Sequence, residues 1–206
     1  ICYLPSYRSA LSMSDRLPVL LDYVVSRGHA IFTRGEYNLN IIGIRTANSD
    51  ANTFNDRMCV VYKDAHGWIT RTWPCTTDPG TYWRTHPMNV NGTAIMKEGQ
   101  YRGAYKIGKH RGQYDALVQR GGRVTVWRDN DMDDVLDMDP GTEDSGFHGI
   151  NIHKAGENST TVNKWSAGCQ VFADEDDFDE FMDLCRTAQS LWGETFSYCL
   201  VEEPTM

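Results

Sequence analysis

Gly146–Phe172 reads GFHGINIHKAGENSTTVNKWSAGCQVF and places two histidines and a cysteine in one short segment. Gly149–His153 alternates as a strand does, so Ile150 and Ile152 point to one face and His153 stands at the strand end, held at the rim of a buried face. The polar stretch from Lys154 to Lys164 reads as a loop. It returns the chain to Trp165, Ser166, Ala167, Gly168 and Cys169, then to the apolar Val171 and Phe172. A strand, a return loop and a Gly-Cys turn bring a thiol and an imidazole together.

Outward from this segment the pattern is mainly β. Asn40–Arg45 (NIIGIR) reads as a strand, as does Ala30–Phe32, with a Gly35-Glu36 turn between them. Met58–Lys63 and Trp68–Trp73 form a hairpin across Asp64–Gly67. Short strands follow at Gly92–Met96, Gly103–Ile107, Ala116–Gln119 and Val124–Arg128, and Phe196–Val201 closes the chain. Two helices interrupt the strands. One starts at Ser14-Asp15, carries Leu17, Leu20, Leu21, Val24 and Val25 on one stripe and ends at Gly28. The other, Asp174–Leu191, aligns Phe178, Phe181, Met182, Leu184, Cys185 and Ala188, with acidic residues at its favourable N-terminal end. The class is therefore α+β, with residues 1–50 packed on a main unit of residues 51–206.

With 206 residues, 40% of them hydrophobic and 23% charged, the chain has ordinary globular usage and supports one core of normal size. A net charge of −8 without any Lys/Arg run speaks against nucleic acid as a partner. No apolar run reaches the roughly 18 residues of a membrane span, and the first residues lack the basic start and apolar middle of a signal peptide. The six cysteines show no zinc-ligand spacing. Buried free thiols are the simplest reading of Cys59, Cys75, Cys185 and Cys199.

A thiol becomes a useful nucleophile when a base takes its proton and donors await the oxyanion. Cys169 is the candidate nucleophile and His153 the base. The backbone N–H groups of Gly168 and Cys169 are the candidate oxyanion donors, since a small residue before the cysteine lets substrate approach the backbone.

SAGCQVF, after a strand ending in IHKAG, resembles the signature of YkuD-type L,D-transpeptidases. Ser166, Gly168 and Cys169 match that pattern; Ala167 stands where the family has His, and Val171 where it has Arg. Thr70–Trp83, TRTWPCTTDPGTYW, is similar to the strand and Thr-Pro-x-Gly turn that precede the family's catalytic half, with Asp78 inserted. The resemblance runs over about residues 55 to 203. It implies a β-sandwich with an N-terminal helix and one helix after the catalytic turn. It also implies a cysteine that attacks a stem-peptide carbonyl of peptidoglycan and passes the acyl group to an amine or water, with no cofactor for catalysis. Two histidines compete for the base: His148 is followed by Gly149 as in the family, but the anchored strand favours His153, leaving His148 with Trp165 to the substrate groove. The chain looks like a bacteriophage protein that degrades the wall, acting at the bacterial cell wall or periplasm, with other virion (tail or baseplate) proteins as further partners.

Two other readings stand beside this one. A muramidase needs a pair of carboxylates, for which Glu143 with Asp144, Glu157 or an acid from the Asp-rich loop are available. A non-catalytic virion or wall-binding module would keep the fold without chemistry, as Ala167 and Val171 suggest. The sequence also offers a cation loop: Asp129, Asp131, Asp133 and Asp137 stand at positions 1, 3, 5 and 9 of a calcium-loop pattern, with Glu143 or Asp144 available to close it. Such a calcium would be structural. Finally, Arg102, Lys106, Lys109, His110 and Arg111 form a local basic patch suited to stem-peptide carboxylates.

Overall fold

The computed structural model describes residues 16–47 and 52–204. Helix α1 (Val19–Ser26) follows Pro18 and stops before Gly28, which takes a φ of +83° that a side chain would resist. Its expected start at Ser14-Asp15 lies outside the described residues. Strands β1 (Asn40–Arg45), β2 (Asp56–Asp64) and β3 (Gly67–Thr76) come next, the last two joined by the expected tight turn. A short helix α2 (Thr81–Thr85) precedes β4 (Thr93–Met96), β5 (Gly99–His110), β6 (Tyr114–Gln119) and β7 (Val124–Asp129). The rest is β8 (Asp144–Gly146), β9 (Ile152–Lys154), β10 (Gln170–Phe172), α3 (Glu175–Trp192) and β11 (Phe196–Glu202).

Eight strands close into a barrel in the order β1-β11-β5-β6-β9-β10-β3-β2, and β4-β7-β8 form a separate small sheet. The class is α+β and mainly β, with three helices among the described residues instead of two. Ring closure, where a sandwich was expected, leaves the main sheet without free edges. The pairs β1·β11 and β9·β10 are parallel and the other ring pairs antiparallel.

Alternation along β1 explains its two-sided burial. Ile41 joins the main core with Met58, Val60, Tyr105, Phe172 and Tyr198, into which α3 sends Phe178, Phe181 and Met182. Ile42 and Ile44 point the other way, where Leu21 and Val24 of α1 cover them with Cys59 and Val61. Asp174 caps α3, its carboxylate accepting from the Asp176 and Asp177 amides at 2.9 and 3.4 Å.

One expected strand does not form. Ala30–Phe32 is irregular because side-chain amides take the place of a strand partner. Asn40 bonds both N–H and C=O of Phe32 (2.7 and 2.9 Å), and Gln100 does the same for Ala30 (3.0 and 2.6 Å).

Candidate active site around Cys169

The cysteine turn is fixed from below by buried polar groups. Ser166 donates to the Cys169 carbonyl (2.8 Å) and accepts from the Gly168 amide (3.1 Å), which commits one of the two expected oxyanion donors and leaves the Cys169 amide as the other. Gly168 takes a φ of +117°, and a Cβ there would lie 2.4 Å from the Ala94 carbonyl oxygen. Gln170, fully buried, reaches the Thr77 and Gly168 carbonyls and accepts from the Tyr198 hydroxyl at 2.7 Å. Gly43 makes room for that hydroxyl, since a Cβ on it would come within 1.8 Å of the phenolic oxygen.

The TTDPG segment docks against the same turn. The Gly80 amide donates to the Ser166 carbonyl (2.9 Å), and a Cβ on Gly80 would strike Asn163 at 2.1 Å. Asp56 accepts from the Thr77 amide and hydroxyl at 2.7 and 2.8 Å. The buried Arg45 pairs with Asp78 (2.9 Å) and Glu98 (2.7 Å), so Asp78 serves to hold the turn. Trp83, in α2, donates its indole N–H to the Lys164 carbonyl.

Cys169 is partly exposed and opens into a cleft of about 420 Å³ lined by Trp83, Ala94, His110, Arg111, Arg128, Phe147, His148, Asn151 and Ala167 among others. Its sulfur accepts from the Asn151 amide at 3.4 Å and faces the Gly149 carbonyl at 3.5 Å. Burial pushes the thiol up to about 11, so it rests protonated.

Hydrogen-bond partners fix the tautomers of the nearby histidines. Nδ1 of His153 lies 2.9 Å from the Lys154 carbonyl, which only accepts, so Nδ1 carries the proton and Nε2 is the basic nitrogen. His153 does not stand at the rim as expected. It sits within β9, 4% exposed, because pairing continues to Lys154 and Tyr114 and His110 cover the ring. Burial, with His110 beside it, pushes its pKa down to about 3. His148 lines the cleft, but both its nitrogens are engaged: Nε2 at 3.0 Å from the Asp144 carbonyl and Nδ1 at 3.2 Å from the Arg128 guanidinium. The geometry therefore leaves His153 with the uncommitted basic nitrogen of the two.

Comparison with protein-family models, with curated proteins and with solved structures finds no match.

Three contributors to the cleft were not legible as such. His110 stacks on His153 and, through Nδ1, receives the Asn151 carboxamide at 3.1 Å, so Asn151 touches the thiol with its backbone and His110 with its side chain. Arg111, read only as one of a basic cluster, has no ion-pair partner among the described residues and lines the cleft. Gln119 accepts from the His148 and Ile150 amides (3.0 and 3.2 Å) and so sets the path of the strand leading to Asn151. Trp165 is 45% exposed and stands over Gly156, outside the cleft lining; Trp83 and Phe147 supply its aromatic surface.

The carboxylates are paired elsewhere. Backbone amides at 143 and 141 and then Lys97 hold Glu143 below its usual range, and the Arg128 hydrogen bond does the same for Asp144. Of the acidic loop, Asp129, Asp131 and Asp137 bring carboxylate oxygens within 4.8 Å of one another. Asp133 turns instead to the Val135 amide (2.6 Å).

Proposed function

We propose that this chain is a cysteine-dependent acyl transferase or peptidase acting on peptidoglycan stem peptides, a divergent relative of the YkuD-type L,D-transpeptidases encoded by a phage and working at the bacterial cell wall or periplasm. The observation that carries the reading is Cys169 opening into a cleft between aromatic walls and two guanidinium groups, whose lining includes His110, the ring stacked on His153. The resting pair is a neutral thiol and a neutral imidazole, so proton transfer accompanies attack. The sulfur bonds to the stem-peptide carbonyl carbon while its proton passes to Nε2 of His153. The C–N bond then breaks, the departing amine takes that proton, and a thioester remains for water or a second amine. The Cys169 amide would receive the oxyanion. Arg111 supplies a cation for substrate carboxylates, a role that Val171, fully buried, cannot fill.

A muramidase is less well supported, because its general acid needs a raised pKa: Glu143 and Asp144 are held low, and Asp129, pushed up to about 6 by burial, is buried and does not line the cleft. One observation favours a wall-binding or virion module without chemistry: the contacts of the Cys169 sulfur are backbone groups of Asn151 and Gly149, not an imidazole.

Turnover of purified muropeptides, followed by mass spectrometry for wild type beside Cys169→Ala, separates these readings. Loss of D-Ala or of a cross-link with wild type alone supports the cysteine mechanism. Equal activity in both proteins overturns it, and inactivity of a folded wild type leaves the binding module.

A further inference from the structure

We propose that Asp129, Asp131 and Asp137 bind a calcium ion that pins the loop 130–139 and, through it, one wall of the Cys169 cleft. A group of carboxylates alone would not argue for this, since acidic loops are commonly just solvated. The deciding observation is Asp129. It is the last residue of β7, 1% exposed, and neither carboxylate oxygen makes a hydrogen bond of normal geometry. The Asp137 amide is the donor that approaches it, outside normal geometry; a buried carboxylate so poorly satisfied is costly, and here it faces two more carboxylates whose oxygens lie within 4.8 Å. That spacing fits oxygens ranged around one calcium at about 2.3–2.6 Å each.

Arg84 is the protein cation whose charge acts on Asp129, yet its hydrogen bonds and ion pair go elsewhere. The guanidinium of Arg84 is turned to the carbonyl and carboxylate of Asp134 and to the Thr81 hydroxyl. That arrangement also gives the site its reach. Asp134 lies in the loop the ion would fix, Arg84 is 1% exposed, and its neighbour Trp83 lines the cleft. Holding the loop therefore holds α2 against the cysteine turn. Hard oxygen donors and a flexible loop favour calcium over magnesium, which demands a tighter octahedron.

Calcium titrated into the intact chain, read by isothermal titration calorimetry and by thermal unfolding, tests the site. The expected result is one ion per chain, with a melting temperature raised by about 5 °C or more at a hundredfold excess over Kd. Asp129→Asn and Asp131→Asn abolish both effects and Asp133→Asn retains them. Asp129→Asn melts no lower than wild type in chelator, because it removes an unpaired buried charge. No saturable binding up to several millimolar, or an equal response in all three variants, would overturn the proposal. So would an Asp129→Asn protein that is less stable than wild type in chelator, which would show the charge to be compensated within the protein.

Discussion

The imidazole rings of His110 and His153 stack with centroids 4.0 Å apart and planes inclined by 22°. They come from the end of β5 and the middle of β9, and burial keeps both neutral, aided by the Arg111 charge at His110 and by His110 at His153. Protonating either would place a charge in a nearly dry stack, which ties the state of the cleft to pH.

The stability of the fold should fall in acid through His153. The unfolded chain protonates this residue near 6.5, the folded chain only near 3. Between these values the unfolded state binds the extra proton, so the stabilisation is complete above about pH 6.5 and is lost as pH falls toward 3, by at most about 1.4 kcal/mol per pH unit. Thermal unfolding from pH 7 to pH 4 measures this. His153→Gln flattens the slope, and a variant as acid-sensitive as wild type would place the titration elsewhere.

Alkylation of Cys169 in the free protein should be slow at neutral pH. A thiol near 11 presents about a hundredfold less thiolate at pH 8 than one near 9. Iodoacetamide uptake, followed by intact mass from pH 6 to 11, should rise steadily with pH. A plateau reached by pH 7 would mean a thiolate–imidazolium pair and a different resting state. Cys59, Cys75, Cys185 and Cys199 are all buried, so they should react only on unfolding.

Arg111→Ala should weaken substrate binding more than chemistry. If this guanidinium receives a stem-peptide carboxylate, its loss removes a charge-assisted contact and raises KM by about 10- to 100-fold with kcat little changed. Steady-state kinetics on a muropeptide and on its carboxylate-amidated form test this. Equal KM changes on both substrates would assign Arg111 a structural role.

Gly168→Ala should cost about 1–3 kcal/mol of stability and most of the activity. The φ of +117° is strained for alanine, and the new Cβ meets the Ala94 carbonyl of β4. Urea unfolding beside muropeptide turnover reads both. A variant of wild-type stability would show that the turn relaxes freely.

Much of the fold was legible because it rests on local periods. NIIGIR, the β2–β3 hairpin, the α3 stripe with its Asp174 cap and the closing strand each follow from alternation or 3.6-residue spacing. Ala30–Phe32 failed for a reason outside its own sequence, since Asn40 and Gln100 satisfy its backbone. Helix α2 and strand β8 were too short to show a period.

The acidic loop marks the boundary of such reading. Spacing singled out four aspartates, and three converge, but Asp133 turns to its own loop, and Glu143 and Asp144 are taken by Lys97 and Arg128. Whether a carboxylate bonds an amide, an arginine or other carboxylates depends on what lies opposite it, which no spacing rule contains.

By itself the sequence determined most of the strands, the two longer helices and the Ser-x-Gly-Cys turn, because these follow from side-chain alternation, from 3.6-residue spacing and from backbone angles open to glycine. Only the tertiary structure decided that eight strands close into a ring, that His153 is buried under His110 while His148 is bound by Arg128, and that Arg111 and Asn151 meet the thiol's cleft. Those contacts join residues far apart in the chain, and they exist only once strand register has fixed which side chains share a face.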